Sequence, residues 1–516
     1  MSYTSKALLF LLANLIVHNV SAAGCGLTVR DISDGPGTNE TTNAMRKEKL
    51  PVDFVNFPAG CEAGDEVDVQ LPNGKVKNFK RSQETRRNKP LNDESEDGLL
   101  QFHGESDDGS SFQYIRNKDN KIFGSLVDLT DQTVSKFRLD SDGNQVVDTI
   151  PTKDFPPEAD PPEADPPEAA DPIHDERMLL KSEEPIPSSS SSFSQANSLR
   201  GVHSSKSRDL LDDLGGNLDV LVVWTSNAEC RNSGLARGCS RTATTTANMK
   251  SLINLAVAET NTAFDLSGVN TQLNLVHARH VGAYTEVSGD AFSKALNHIT
   301  SPSDGVIDHV HTLRSKYGAD LVAMIIDDPQ YCGMAWKGPS KERMFSVTAW
   351  NCATGYYSFA HELAHNLGCN HDKGTSNACS SSAYNYGWRD PNARFRSILA
   401  YNCVSGQCDN NSGGGCPRVQ RFSNTKSLFN GSAIGSAQHN NARQINDVRV
   451  TVAGYYPHKS NTGTFNQCTG IRRRRKCRRT SGCGWKSRSC LKCSDIGRRR
   501  KCKRTRGCSW SGGRCT

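Results

Sequence analysis

Apolar and polar positions alternate in short runs over residues 24–150. Val67, Val69 and Leu71 share one side of an extended run, and Asn73-Gly74 supplies a hairpin turn before Val76. Phe112 and Tyr114 precede a polar turn with Ile122 and Leu126 beyond it. Phe137 and Leu139 lead through Asp142-Gly143 to Val146 and Val147. A period of two with these turns predicts a β-rich unit, a meander of hairpins. The pattern changes after residue 216. Residues 219–224 (DVLVVW) read as a buried-strand run, and Met249, Leu252, Ile253, Ala256 and Ala258 recur at helical spacing. Residues 272–277 and 321–326 are further strands, separated by a helix from about residue 305 that stops near Gly318. Ile445, Val448 and Val452 mark a closing helix, ended at Pro457. Strands alternating with helices predict right-handed crossovers and a mostly parallel sheet, an α/β domain over 217–457.

The joining segment, 151–216, has no such pattern. It contains FPPEADPPEADPPEAADP over 155–172 and a serine run over 188–192. This Pro-Pro-Glu-Ala-Asp repeat reads as a stiff, acidic, coreless spacer with a protease-accessible crossing, for which Lys206-Ser207-Arg208 is one candidate. At the other extreme, residues 1–23 read as a signal peptide. Lys6 precedes an apolar run over 7–17, and Val20-Ser21-Ala22 suits cleavage. The run is shorter than the ~20 residues that span a bilayer, so we expect an exported protein with no integral membrane span.

Composition supports export. Nineteen cysteines in an exported chain point to disulfides rather than metal thiolates, and the odd count leaves at least one free or paired with another molecule. Sequons at Asn39, Asn410 and Asn430 fit a secreted surface. The formal charge of +7 hides an asymmetry: of 62 basic and 55 acidic residues, 468–516 hold 18 and one, so that end carries +17 and the remainder −10.

The segment HELAHNLGCNHD, residues 361–372, carries the chemistry. His361 and His365 lie four apart, so on a helix they project from one face a turn apart and can hold one zinc ion. Glu362 lies beside them, free to take a proton from a water. Gly368 can reverse the chain and bring His371 round as a third ligand, leaving a fourth position open, as catalytic zinc sites do. A His-rich amphipathic helix without metal is the bland alternative, disfavoured because three histidines fall in this register.

With these residues the chain resembles the metzincins, and within them the reprolysin (adamalysin-like) branch, whose signature residue is matched by Asp372 directly after the third histidine. ADLVAMIIDDPQYCGMAW, FAHELAHNLGCNHD, RFSNTKSLFNGSAIG and NNARQINDVRVTVAGYY carry the likeness over most of 217–457. It implies an α/β fold, a metzincin-like mixed sheet of five strands with an active-site helix, preceded by a β-rich propeptide and followed by small disulfide-rich repeats. It also implies a secreted endopeptidase hydrolysing protein and peptide substrates with a zinc-activated water. His361, His365 and His371 are then ligands of Zn2+ and Glu362 the general base. SILAYNC, residues 397–403, resembles the Met-turn of the family with Leu399 at the methionine position, an apolar replacement of similar volume that costs under about 1.5 kcal/mol. Tyr401, two residues on, is either a fifth ligand or oxyanion donor or a packed tyrosine bonded elsewhere. Cys369, inside the motif, is expected to staple the turn by a disulfide. The competing reading is a catalytically inactive scaffold that binds matrix, supported by Leu399 and the basic tail and opposed by the intact Glu362.

Two further expectations concern the flanks. Residues 24 to about 210 should keep the enzyme latent, with Cys61 as a zinc-blocking thiolate or, alternatively, bridged to Cys25. In the tail, Cys468, Cys477, Cys483 and Cys490 recur as Cys493, Cys502, Cys508 and Cys515 with a period of 25, each copy carrying a basic run and a Gly-Cys-x-Trp element. Units this small and poor in apolar residues need disulfides. Repeated cations over 464–516 suit anionic polysaccharide, cell wall or matrix, whereas export makes nucleic acid an unexpected partner.

Overall fold

A computed structural model describes residues 25–31, 50–54, 66–70, 75–81, 100–116, 121–162, 216–282, 284–287, 289–408, 413–457, 483–486, 489–492, 510–511 and 514–515. The chain divides into two units, one of residues 1–314 and 319–456, the other of 315–318 and 457–516. The signal-peptide segment, Asn73-Gly74, Cys61, Lys206-Ser207-Arg208 and the tail disulfides lie outside the described residues.

The alternating N-terminal segment folds into nine strands: β1 (Cys25–Asp31), β2 (Leu50–Phe54), β3 (Glu66–Gln70), β4 (Val76–Arg81), β5 (Leu100–Glu105), β6 (Ser111–Arg116), β7 (Ile122–Asp128), β8 (Thr133–Leu139) and β9 (Gln145–Pro151). The expected meander is present from β3 to β9, but it does not stay open. β1 pairs parallel with β3 and antiparallel with β2, and β2 pairs with β9, so the sheet closes into a barrel. Closure removes unpaired edges, which a run of hairpins alone leaves exposed. Val67, Phe79, Phe112, Phe137 and Val147 fill the interior.

Residues 216–456 contain a five-stranded sheet in the order β11-β10-β12-β14-β13. The long apolar runs supply its centre: β10 is Leu218–Trp224, β12 is Leu321–Ile326, and both are fully buried. β11 (Leu273–His280) and β14 (Phe345–Ala349) extend the parallel part, while β13 (Gly333–Ala335) runs antiparallel at the edge. The six helices described are α1 (Ser226–Asn232), α2 (Ala243–Ser267), α3 (Ala291–Thr300), α4 (His309–Tyr317), α5 (Ser358–Asn366) and α6 (Asn441–Val452). Thr242 caps α2 through a reciprocal bond with Thr245, and Gly268 ends it at φ +68°.

The barrel packs on this domain through its outer face. Ile115, Phe123 and Leu139 meet Leu255 and Ala258 of α2. Arg421 pairs with both carboxylate oxygens of Glu105 at 2.7 and 2.8 Å, and Gln420 donates to Gln113 at 2.8 Å. After β9 the chain runs on without becoming a spacer. Phe155 is buried and stacks on Tyr356 at 4.3 Å between ring centroids, and Glu158 and Ala159 are also buried. The expectation of a coreless repeat therefore fails for its first copy. Phe155 alone gains ~1.5–3 kcal/mol by leaving water, which proline stiffness lets the segment keep at little entropic loss.

Four disulfides staple the same domain: Cys230–Cys239, Cys332–Cys352, Cys379–Cys408 and Cys403–Cys416. Cys369, expected to be bridged, is instead free and buried, its Sγ directed at Asn441 O at 3.7 Å. The eight other cysteines of the domain already pair, and burial raises its thiol far above the ordinary range, so it packs as a small apolar group.

In the second unit, Cys483–Lys486 pairs with Ser489–Lys492, and Trp510–Ser511 with Arg514–Cys515. The two hairpins fall at equivalent positions of the two tail repeats, in line with the 25-residue period. Among the described residues no helix is long and apolar enough to cross a membrane.

Candidate active site

α5 carries the metal-binding pattern. It begins at Ser358, after Tyr357 at φ +61°, and stops where Gly368 takes φ +86° and donates to His365 O at 2.9 Å. Asn366 locks the helix to the sheet by donating to Trp336 O at 2.8 Å and Phe345 O at 2.9 Å. The reversal at Gly368 returns His371 to the face bearing His361 and His365, as the spacing required.

The three imidazoles converge. Their Nε2 atoms lie 3.0 Å (His361–His365), 3.1 Å (His361–His371) and 2.9 Å (His365–His371) apart, all buried. His361 Nδ1 faces Ile398 O at 2.9 Å and His365 Nδ1 faces Cys369 O at 2.9 Å. A carbonyl oxygen only accepts, so each Nδ1 carries the proton and each Nε2 presents a bare lone pair. Burial, with the neighbouring imidazole, holds His361 and His365 neutral well below the usual histidine range. Lone pairs turned on one another repel unless a cation lies among them, so this donor set fits a metal ion, and neutral imidazoles suit zinc.

The turn below supports them. Ile398-Leu399-Ala400 is fully buried, with the Ile398 carbonyl fixing His361. Leu399 sits in the main hydrophobic cluster. A Cβ on Gly387 would press on the Ala400 nitrogen at 2.7 Å, so the chain passes close only because Gly387 lacks one. Asp372 accepts from Tyr401 N at 2.9 Å and Thr375 N at 2.8 Å and pairs with Arg389 at 3.0 Å. It thereby ties the third-histidine loop to the turn and makes no part of the histidine cluster.

Glu362 is buried and points at Gly333, where any Cβ would collide with its carboxylate. Burial, with the Glu158 carboxylate beside it, pushes its pKa well above the ordinary range. Gly333 lies in the ADLVAMIIDDPQYCGMAW segment, and its missing Cβ is what makes room for the Glu362 carboxylate.

Residues 157–160 cross the cleft. Cys332 N donates to Pro157 O at 2.8 Å and Ala159 N to Gly333 O at 3.0 Å. Both bonds advance together along the two chains, so the segment runs parallel to β13. Tyr401 donates its hydroxyl to Glu158 O at 2.6 Å, and its ring lies 4.3 Å from that of His371. Asp160 Oδ1 lies 3.3 Å from His371 Nδ1. Glu158 Oε1 accepts from Arg418 at 2.6 Å and Ser358 at 2.7 Å. Arg418 and Ser358 carried no sequence signal, and Glu158 was hidden in a repeat whose composition reads as linker.

Residues 233–436 match the family described as Metallo-peptidase family M12B Reprolysin-like. Three similar proteins are each named peptidyl-Asp metalloendopeptidase. That of Stenotrophomonas maltophilia strain R551-3 is 37% identical over 241 residues, 46% of this chain and 52% of its own. That of Xanthomonas campestris pv. campestris is 35% identical over 238 residues, 46% of this chain and 51% of its own. That of Pseudomonas fragi is 37% identical over 111 residues, 21% of this chain and 66% of its own. The match thus spans about half the length of the first two relatives. A solved structure described as a chaperone-substrate complex gives a TM-score of 0.32 at 17% identity, over 47% of this chain and 35% of that one, too low a likeness to bear on the fold.

Proposed function

We propose, from the premise that the chain carries a reprolysin-like M12B metallopeptidase domain, that it is the precursor of an exported zinc endopeptidase cleaving proteins beside acidic residues. The carrying observation is the convergence of the three histidine Nε2 atoms beside the buried carboxyl group of Glu362. His361, His365 and His371 would hold zinc, which would supply Lewis acidity toward a scissile carbonyl and acidify water. Glu362 takes the proton of the attacking water and returns it to the leaving amine. Tyr401, already donating to a peptide carbonyl, can donate to that of a substrate, which favours the oxyanion role over simple packing. Gly368, Asp372 and Leu399 hold the frame. The relatives' name supports the acidic preference. Leu399 is fully buried, as an apolar replacement for methionine should be, and this supports the active reading over an inactive scaffold.

Latency is part of this reading. Pro157, Glu158, Ala159 and Asp160 each contact the cleft, so a substrate must displace them, and the barrel anchors them from one side. This reading of latency needs no thiolate from Cys61. Four disulfides support an oxidising, extracellular destination. We assign 468–516, with its net +17, the role of tethering the enzyme to anionic polysaccharide, cell wall or matrix. Casein hydrolysis by the activated chain should stop on chelation and return with zinc. Persistence of full activity after chelation defeats the zinc mechanism. On a heparin column the full chain should elute only at high salt and a chain ending at Pro457 should flow through. Co-elution of the two removes the tether.

A further inference from the structure

Arg418 is a buried cation that holds none of the histidines. Its Nη1 donates to Glu158 Oε1 at 2.6 Å and to Tyr356 O at 2.9 Å, and its guanidinium lies 4.3 Å over the Tyr356 ring. Arg396 fixes that ring by donating to its hydroxyl at 3.0 Å. Ser358, at the start of α5, donates to the same Glu158 oxygen at 2.7 Å. Among the described residues the Nε of Arg418 has no partner. Glu158 therefore presents its carbonyl to Tyr401 and its carboxylate to Arg418, the first over the metal site and the second in a fixed cationic pocket beside Glu362.

We propose that Arg418, with Ser358, selects the acidic side chain adjoining the scissile bond, and that Glu158 fills this pocket in the precursor in place of that substrate group. The inference rests on the endopeptidase reading above and assigns its specificity to named atoms. A guanidinium buried against Tyr356 cannot recover its hydration, so a neutral side chain in the pocket leaves it unpaired while a carboxylate satisfies it. Sites that pair a buried polar group with substrate reject the analogue lacking it strongly, more so than apolar pockets reject a missing methylene. The pocket reads charge, and accepts the two-methylene stem of Glu158 itself.

The test uses the full chain, zinc-loaded and activated by limited proteolysis within 163–216. Paired peptides with one cleavable bond differ only in Asp against Asn, or Glu against Gln, beside that bond. The wild type should favour the acidic member by about 100-fold or more in kcat/KM. Arg418→Gln should lose about 100-fold on the acidic member and stay within about 5-fold on the neutral one. Ser358→Ala keeps the cation and should shrink the preference by about 10-fold. A wild type without acidic preference, or an Arg418→Gln enzyme that keeps it, overturns the inference. Equal loss on both peptides with zinc content and Tm intact does the same, and in these cases the endopeptidase reading survives. A zinc-loaded wild type that cleaves neither peptide overturns that reading itself. If Arg418→Gln does not fold, Ser358→Ala decides, and an unchanged preference there rejects the pocket.

Discussion

The two walls of the cleft present opposite deficits. On one, three imidazole lone pairs converge and want a cation. On the other, a buried guanidinium wants an anion and takes it from the chain's own Glu158. The first wall is assembled from residues within a single helix and the turn after it. The second draws on a barrel-linked segment, the helix start and a loop, residues 158, 358 and 418. A site made largely by local periodicity is set mostly by its helix and turn, whereas one made by distant segments depends on what docks there.

The widest separation of the walls comes from Glu362→Ala. It should lower peptide hydrolysis by about 10³-fold, within the usual span for a lost acid–base group, while zinc content stays at the wild-type level. Zinc loss in the variant, read by metal analysis, would place Glu362 among the groups that hold the metal. Tyr401→Phe should lower kcat by about 100-fold with a small change in KM if the hydroxyl serves the transition state. An unchanged kcat returns Tyr401 to packing. Glu158→Ala attacks the second wall in the uncleaved precursor. It leaves Arg418 buried and unpaired, which costs about 3 kcal/mol, so a small quenched peptide should be hydrolysed without activation. Continued silence of that variant would shift latency to elements other than this ion pair.

Acid should loosen the barrel. His103 lies on the barrel face toward the protease, opposite Gln113 in the β5–β6 ladder, with neither ring nitrogen partnered. Burial, helped by the Arg421 charge and opposed by Glu105, lowers it to about 4. Once released it regains its ordinary value near 6.5, so the released form binds more protons between those limits. Docking is complete above about pH 6.5 and weakens as pH falls toward 4, by roughly 3 kcal/mol. Glu105 acts in the same direction at lower pH. Burial alone would raise it, but the hydrogen bond and charge of Arg421 hold it below the usual carboxylate range, so docking is lost as it protonates. Dissociation of the nicked chain on gel filtration should follow this course, and His103→Phe should flatten it above pH 4. The smallest effect belongs to Leu399→Met, expected to change stability by under about 1.5 kcal/mol in thermal unfolding and to leave the preference for acidic peptides alone.

The histidine wall was legible in the order of residues. Four residues from His361 to His365 are one helical turn, and Gly368 allows the positive φ that returns His371, so the spacing of letters was already a geometry. The central strands were legible as well, because runs such as DVLVVW and LVAMII fit only a sheet covered on both faces. The rest follows from contacts between distant segments. Closure of the hairpins into a barrel depends on β1 finding β3, which no local pattern states. Cys369 stays free because the other cysteines of its domain meet elsewhere, a choice of partners made across the fold. Arg418 and Glu158 lie far apart in the chain, and each reads locally as an ordinary solvated charge. Only folding takes both from water together, and in that low-dielectric pocket neither can stay charged at tolerable cost without the other.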